Sequence, residues 1–242
     1  MNEKKALFLE SSIGNRIIMR ICVGTNLLLI SYCLVWLNLN WQKAAPSPII
    51  GFAIVLAGYF LADVISGLIH WATDTWFFEE KVGRAMSILR EHHSHPHHVL
   101  DYGFLEHASL GSAPAALILG PMVIVIAQCT LSVLNFACML LCAELAVCLL
   151  FLSSFHNLGH RYSKYKVIRF AQRHQLLMSP RHHAVHHRTM IERYCAINGW
   201  ANYVFDQYLI WRRLERIIHR HTGEVPIKDD DDWQKRFHRR QS

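Results

Sequence analysis

Four runs of apolar residues divide this chain, at about 17–37, 49–69, 113–134 and 136–155. A bilayer core needs about 20 apolar residues to be crossed by a helix, so each run predicts a transmembrane helix. Trp36 and Trp41 stand where an aromatic belt belongs, and Arg20 near the start of the first run can snorkel outward. The link at 38–48 holds one charge, Lys43, and two prolines, Pro46 and Pro48. The third and fourth runs are too close for anything but a tight turn, which predicts a helical hairpin. The fold class expected is therefore an all-α membrane protein of four transmembrane helices. Polar stretches at 70–112 and 156–222 form a cap, between a tail at 1–16 and a charged tail at 223–242.

The helical pattern does not stop where the second run turns polar. It continues into H-W-A-T-D-T-W at His70–Trp76. Asp63, His70 and Asp74 are spaced seven and four, which keeps them on one stripe of a helix. Asp63 and Glu144 are ionisable groups inside apolar runs. They satisfy a neighbouring helix or, in a transporter, mark an ion path.

Charge sets an orientation. The chain carries +7, and beyond His156 it has 17 Lys or Arg against 8 Asp or Glu. With four spans, both termini and both cap stretches share a side, and the positive-inside rule makes that side cytoplasmic. The mixture of aromatics, aliphatics and arginines at 193–221 suits a segment lying in the membrane interface. No basic patch interleaves with stacking aromatics as a nucleic-acid module would require. Six of the seven cysteines lie in the apolar runs and none forms a C-x-x-C pair, so they read as small apolar residues.

All 17 histidines lie at or after His70. The densest cluster, S-P-R-H-H-A-V-H-H-R at Ser179–Arg188, pairs His182 with His186 and His183 with His187 at helical spacing. Ser179 and Pro180 suit a helix start. A second cluster, R-E-H-H-S-H-P-H-H, runs from Arg90 to His98, and a third, H-N-L-G-H, from His156 to His160. A lone histidine is an ordinary surface or core residue, which covers His219, His221 and His238. A histidine tract in a loop can also buffer or carry zinc, but these spacings are helical and two clusters adjoin apolar runs. Eight or more nitrogen ligands with a carboxylate suffice for two metal ions. Imidazole suits iron, zinc, copper or nickel, and no H-E-x-x-H protease signature is present. Two irons on a histidine platform beside a membrane point to oxygen chemistry on a lipid chain.

These motifs together resemble the plasmanylethanolamine desaturase (Kua/CarF) family, a branch of the histidine-rich membrane lipid desaturases, over roughly residues 50–235. The resemblance rests on S-G-L-I-H-W-A-T-D-T-W at Ser66–Trp76, R-E-H-H-x-x-P at Arg90–Pro96, H-x3-H at His156–His160 and L-x-x-P-R-H-H-x-x-H-H ending at His187. G-W-x-N-Y at Gly199–Tyr203, W-R-R-L-E at Trp211–Glu215 and T-G-E-x-P at Thr222–Pro226 complete it. It implies a lipid desaturase domain over 17–222 with two Fe ions. O2 is the co-substrate, a membrane phospholipid the substrate, and an external carrier such as cytochrome b5 or ferredoxin the electron donor. The product in the named family is the vinyl ether of a plasmalogen; a plant branch desaturates an acyl chain of phosphatidylglycerol instead.

The ligands this implies are His70, His92, His93, His156, His160, His183, His186 and His187. His182 is a ligand or the partner that orients one, and Asp74 is a ligand or the carboxylate that orients His70. His174 is a weaker candidate, and His95, His97, His98 and His107 fall outside the set. Arg181 and Arg188 suit a lipid phosphate. One segment departs from the family pattern: at His97–Ala108 Phe104 and Glu106 survive, but a His-Asp pair is replaced by Tyr102 and Gly103. Ether and acyl substrates both remain open on that account, as does hydroxylation on the same scaffold. The membrane is a bacterial inner membrane or the endoplasmic reticulum.

Overall fold

A computed structural model of the chain describes residues 13–76 and 103–226. Regular structure among them is entirely helical. Helices α1 (Ile13–Ala44), α2 (Pro48–Thr75), α3 (Phe104–Gln128) and α4 (Val133–Leu150) are each long and apolar enough to cross a bilayer, and the chain is a multi-pass membrane protein. Shorter helices follow: α5 (Leu152–Leu158), α6 (Lys166–Arg173), α7 (Pro180–Thr189), α8 (Trp200–Gln207) and α9 (Ile210–Thr222). The chain divides into two units, one within 1–62 and 102–154, the other within 63–101 and 155–242.

In the first unit α1, α3 and α4 pack on Cys33, Leu37, Val123, Phe136 and Met139. Trp36 and Trp41 lie against Phe136, with ring centroids 6.3 and 5.7 Å apart. Gly111 lets α3 meet α4, because a side chain there would collide with the Leu149 carbonyl. Asn26 of α1 is fully buried and donates through Nδ2 to Ser112 Oγ of α3 (3.3 Å) and to the Ala146 carbonyl of α4 (3.2 Å). Interhelical bonds of this kind are each worth about 0.6 kcal/mol in a bilayer. Ile18, Leu28, Leu117 and Ile124 stand exposed, as lipid-facing side chains do.

The hairpin helices differ in register from the apolar runs expected at 113–134 and 136–155. Helix α3 begins nine residues earlier, because Glu106 accepts from the Gly103 N–H (2.8 Å) and starts the helix inside polar sequence. It ends at Gln128, before Ser132 caps α4 by accepting from Asn135 N–H (3.2 Å). Helix α4 stops at Leu150, and α5 carries the remainder of the fourth run to His156. Apolar runs report composition; the caps that set helix ends are polar.

In the second unit the last turns of α2 pack with α8 and α9. Trp71, Tyr194, Cys195, Ala201 and Trp211 form a buried cluster. Glu215, 3% exposed, fixes it by accepting from Trp71 Nε1 (3.0 Å) and from Arg212 Nη1 (2.6 Å).

Candidate metal centre

One face of α2 builds the first half of the site. Asp63, Ser66 and His70 share a stripe, and residues 194–201 run antiparallel along it. Asp63 Oδ1 accepts from the backbone N–H groups of Ile197 (3.0 Å), Asn198 (3.0 Å) and Gly199 (3.1 Å), and Oδ2 from Ala201 (3.0 Å). Ser66 Oγ accepts from Ala196 N–H (2.9 Å). Gly199 turns the segment into α8 at φ 83°, a conformation that favours glycine. At the upper end His70 Nδ1 meets the Tyr194 carbonyl at 2.9 Å. A carbonyl can only accept, so Nδ1 carries the proton and Nε2 presents a lone pair.

Helix α7 supplies the second half. Ser179 caps it by accepting from His182 N–H (3.2 Å), Pro180 sits in the first turn, and Met190 ends it in the left-handed region at φ 57°. The helix start expected from Ser179 and Pro180 is thus present. His186 Nδ1 donates to the Glu192 carbonyl (2.8 Å), which aims its Nε2 inward as His70 is aimed. Asp74 Oδ2 lies 3.3 Å from His70 Nε2 and 3.3 Å from His186 Nε2.

Two ligand groups result. His70, Asp74 and His186 form one, and His156, His160, His183 and His187 the other; within each, the offered atoms lie within 4.8 Å of one another. The groups abut: the His70 ring lies 4.9 Å from that of His156 and 6.0 Å from that of His183 between centroids. His156 lies in the last turn of α5, whereas His160 sits in the turn beyond it, where Gly159 and His160 donate to the carbonyls of His156 (2.8 Å) and Asn157 (3.1 Å).

The donor set fits cations. In the first group two imidazole lone pairs and a carboxylate oxygen converge, which is repulsive without positive charge among them. In the second, His183 Nε2 faces His187 Nε2 at 3.0 Å, and His183 Nδ1 is buried with no hydrogen-bond partner among the described residues. Burial, then the neighbouring His186, His187, His160 and His70, holds His183 well below the usual histidine range. It stays neutral, the form that binds metal.

Other expected residues fall elsewhere. His182 belongs to neither group. Asn202 Nδ2 donates to its Nε2 (2.9 Å), while the Gln175 amide (3.1 Å) and the Arg193 guanidinium (3.4 Å) lie against Nδ1. Burial, with Arg193 adding, pushes it down to about 4. Both nitrogens face protein groups, and none of those groups belongs to either ligand set. Asp74 faces Nε2 of His70 and His186, and orientation of His70 comes from Tyr194. His174 is exposed against Phe170, with ring centroids 4.2 Å apart. His107 Nδ1 pairs with Ser153 Oγ at 2.7 Å in the first unit. Glu144 lies against Gly58 of α2, whereas Asp63 satisfies segment 197–201. Arg181 and Arg188 are exposed on α7. His92, His93, His95, His97 and His98, with the departing segment up to Tyr102, lie outside the described residues.

The lipid desaturase domain family matches residues 59–229, which covers both ligand groups. The chain is 32% identical over 220 residues to plasmanylethanolamine desaturase 1 of Mus musculus, covering 86% of this chain and 79% of that protein. It is 31% identical to the plasmanylethanolamine desaturase of Myxococcus xanthus, covering 73% of this chain and 63% of that protein. Similarity to the chloroplastic fatty acid desaturase 4 of Arabidopsis thaliana is 29%, over 73% of this chain and 55% of the plant protein. The chain thus spans less than two-thirds of the bacterial and plant proteins. No solved structure matches it. Matching over most of its length, with its histidine groups inside the matched region, the chain belongs to the lipid desaturase family and is an oxidoreductase that desaturates lipid.

Proposed function

We propose that this chain is an O2-dependent di-iron desaturase that converts the alkyl ether chain of a plasmanyl phospholipid to the vinyl ether of a plasmalogen. The observation that carries the reading is the pair of abutting ligand groups, one all-histidine and one of two histidines and a carboxylate. Two histidines with one carboxylate is the donor set of non-haem iron that handles O2. Thiolate is missing from both groups, which speaks against a structural zinc. Cys195 is fully buried outside them, and burial raises its thiol well above the usual range.

When bound, the irons supply oxygen chemistry strong enough to break an unactivated C–H bond. The balance is one O2, two hydrogens from the lipid, two further protons and two electrons, giving two waters and the new double bond. The electrons come from an external carrier such as cytochrome b5 or a ferredoxin. The protein's own part is placement. The Tyr194 and Glu192 carbonyls hold His70 and His186 in the tautomer with Nε2 inward. Burial keeps His183 neutral. Tyr194, at 4.9 Å from His186 and 5.3 Å from Trp211 between ring centroids, walls one side against water. Arg181 and Arg188 are candidates for the lipid phosphate. His92 and His93 remain proposed ligands, the active side faces the cytoplasm, and the membrane is a bacterial inner membrane or the endoplasmic reticulum.

Gly159 tests the placement. A methyl group there would sit 2.9 Å from His183 Cγ, 2.9 Å from Met178 Cγ and 2.9 Å from the His156 carbonyl. Gly159→Ala is expected to displace His183 and lower both bound iron and turnover by about tenfold, on the scale of losing an outer contact to a metal ligand. Iron assay of the purified variant checks this; wild-type loading would remove Gly159 from the site's construction.

Lipid mass spectrometry decides the substrate. A plasmalogen-free host is fed alkyl ether lipid while expressing this chain or its His187→Ala form. Acid-labile vinyl ether with the intact chain alone is the expected result. A new acyl double bond instead would move the chain to acyl lipids, a second reading favoured by the near-equal similarity to fatty acid desaturase 4. Neither product from iron-loaded protein would defeat both readings.

A further inference from the structure

Helix α6 leaves large apolar side chains on its exposed side and buries a glutamine. Its inward residue is Gln172, fully buried, whose Oε1 accepts from Ser163 N–H (2.8 Å) and whose Nε2 donates to the carbonyls of Leu158 (2.8 Å) and Arg161 (3.0 Å). Its exposed residues are Lys166, Val167, Phe170 and Arg173, so two large apolar side chains stand out beside two cations. Val167 is 80% exposed and Phe170 58%, with Tyr165 at 61% just before the helix and Leu176 at 45% just after it. Surface helices of soluble domains turn such residues inward.

Charge surrounds this face in a matching pattern. Lys166 and Arg173, at i−4 and i+3, border Phe170 on the wheel and are exposed, as is Lys164. Arg169 does not join them, since it donates to the Ser163 and Lys164 carbonyls (2.9 and 3.0 Å). No Asp or Glu occurs from Leu145 to Ile191, a stretch holding seven Lys or Arg. Apolar side chains standing outward, edged by lysine and arginine without a compensating acid, match the boundary between anionic headgroups and acyl chains. The tether is short as well: α4, long and apolar enough to span, ends at Leu150, and α6 begins at Lys166, 16 residues on. An acidic protein would match the cations, but an outward Val-Phe pair on one turn suits lipid better.

We propose that α6 lies in the plane of the bilayer surface. Val167 and Phe170 enter the headgroup–acyl boundary, while Lys164, Lys166 and Arg173 meet the phosphates of anionic phospholipid.

Hydrogen exchange of the full-length protein in nanodiscs tests this. Discs of phosphatidylcholine are compared with discs containing roughly one third phosphatidylglycerol. Amides in 165–174 are expected to exchange about tenfold more slowly in the anionic discs, an effect that shrinks at high salt. Combining Lys164→Glu, Lys166→Glu and Arg173→Glu should erase the difference between discs. Val167→Asp with Phe170→Asp should leave the segment fast in both, with exchange in α3 and α4 unchanged as the folding control. Equal exchange of the unaltered protein in the two discs overturns the proposal. So does slowing that appears only on addition of a soluble acidic ferredoxin, which would assign the face to a protein partner.

Discussion

His183→Ala is expected to abolish lipid desaturation while leaving the helices in place, and His187→Ala to do the same. Both rings belong to the all-histidine group, and His183 touches every other member, with centroids 4.5 Å from His156, 4.8 Å from His160 and 4.6 Å from His187. Deleting it removes a donor from one metal position and a wall from the other. Turnover should fall at least about a thousandfold, since the missing ligand takes the oxygen chemistry with it and not merely one contact. Iron should fall from about two to about one per chain. His182→Gln is the contrasting substitution. Because His182 already faces the protein through both nitrogens, that variant should keep its iron and lose at most about tenfold in rate. The measurements are iron content and product formation in parallel. Full activity of both His183→Ala and His187→Ala would make the assignment wrong, as would complete iron loss in His182→Gln with normal iron in His183→Ala.

Asp63→Ala is expected to give the largest loss of stability. One carboxylate accepts four backbone N–H groups, all buried, and alanine leaves those donors unsatisfied. Each stranded donor costs about 1–3 kcal/mol, so even with relaxation the total is roughly 4 kcal/mol or more. A melting temperature lower by roughly 10 °C is the corresponding shift for a chain of this size. Asp63→Asn should recover most of it, because an amide oxygen can replace Oδ1 and keep three of the four bonds. Iron should follow stability, since the same segment ends in the Tyr194 carbonyl that fixes His70. A melting temperature for Asp63→Ala within about 2 °C of the unaltered protein would show that the segment is held by packing on Trp71 and Trp211 instead.

Several parts of this arrangement were legible from residue order. Ser179 and Pro180 marked the start of α7, and the i, i+4 spacing placed His183 and His187 together. The stripe from Asp63 through His70 to Asp74 followed from α2 outrunning its apolar segment. The near-membrane spans were visible because lipid-facing residues such as Leu28 and Leu117 leave apolar composition as a signal. What stayed hidden is carried by backbone. The carbonyls of Tyr194 and Glu192 orient two rings, and every residue owns a carbonyl, so no side-chain pattern announces which one is used. The separation of His182 from both groups was equally invisible, because its ring meets Asn202, Gln175 and Arg193. Nor could an apolar window detect that Glu106 starts α3 within polar sequence.

The antiparallel seam between α2 and residues 194–201 bears on when the site can exist during synthesis. Its bonds join residues 124 to 138 positions apart. A ribosome that has delivered α2 has therefore made a helix bearing His70 and Asp74, but nothing that yet fixes their direction. Contacts of such long sequence separation close late. The two ligand groups share this dependence, since α7 leaves the ribosome only shortly before the seam does. Any metal that the two groups hold would therefore load late in biogenesis, after the apolar helices are made. Until then the half-built chain holds its histidines apart, with neither group assembled.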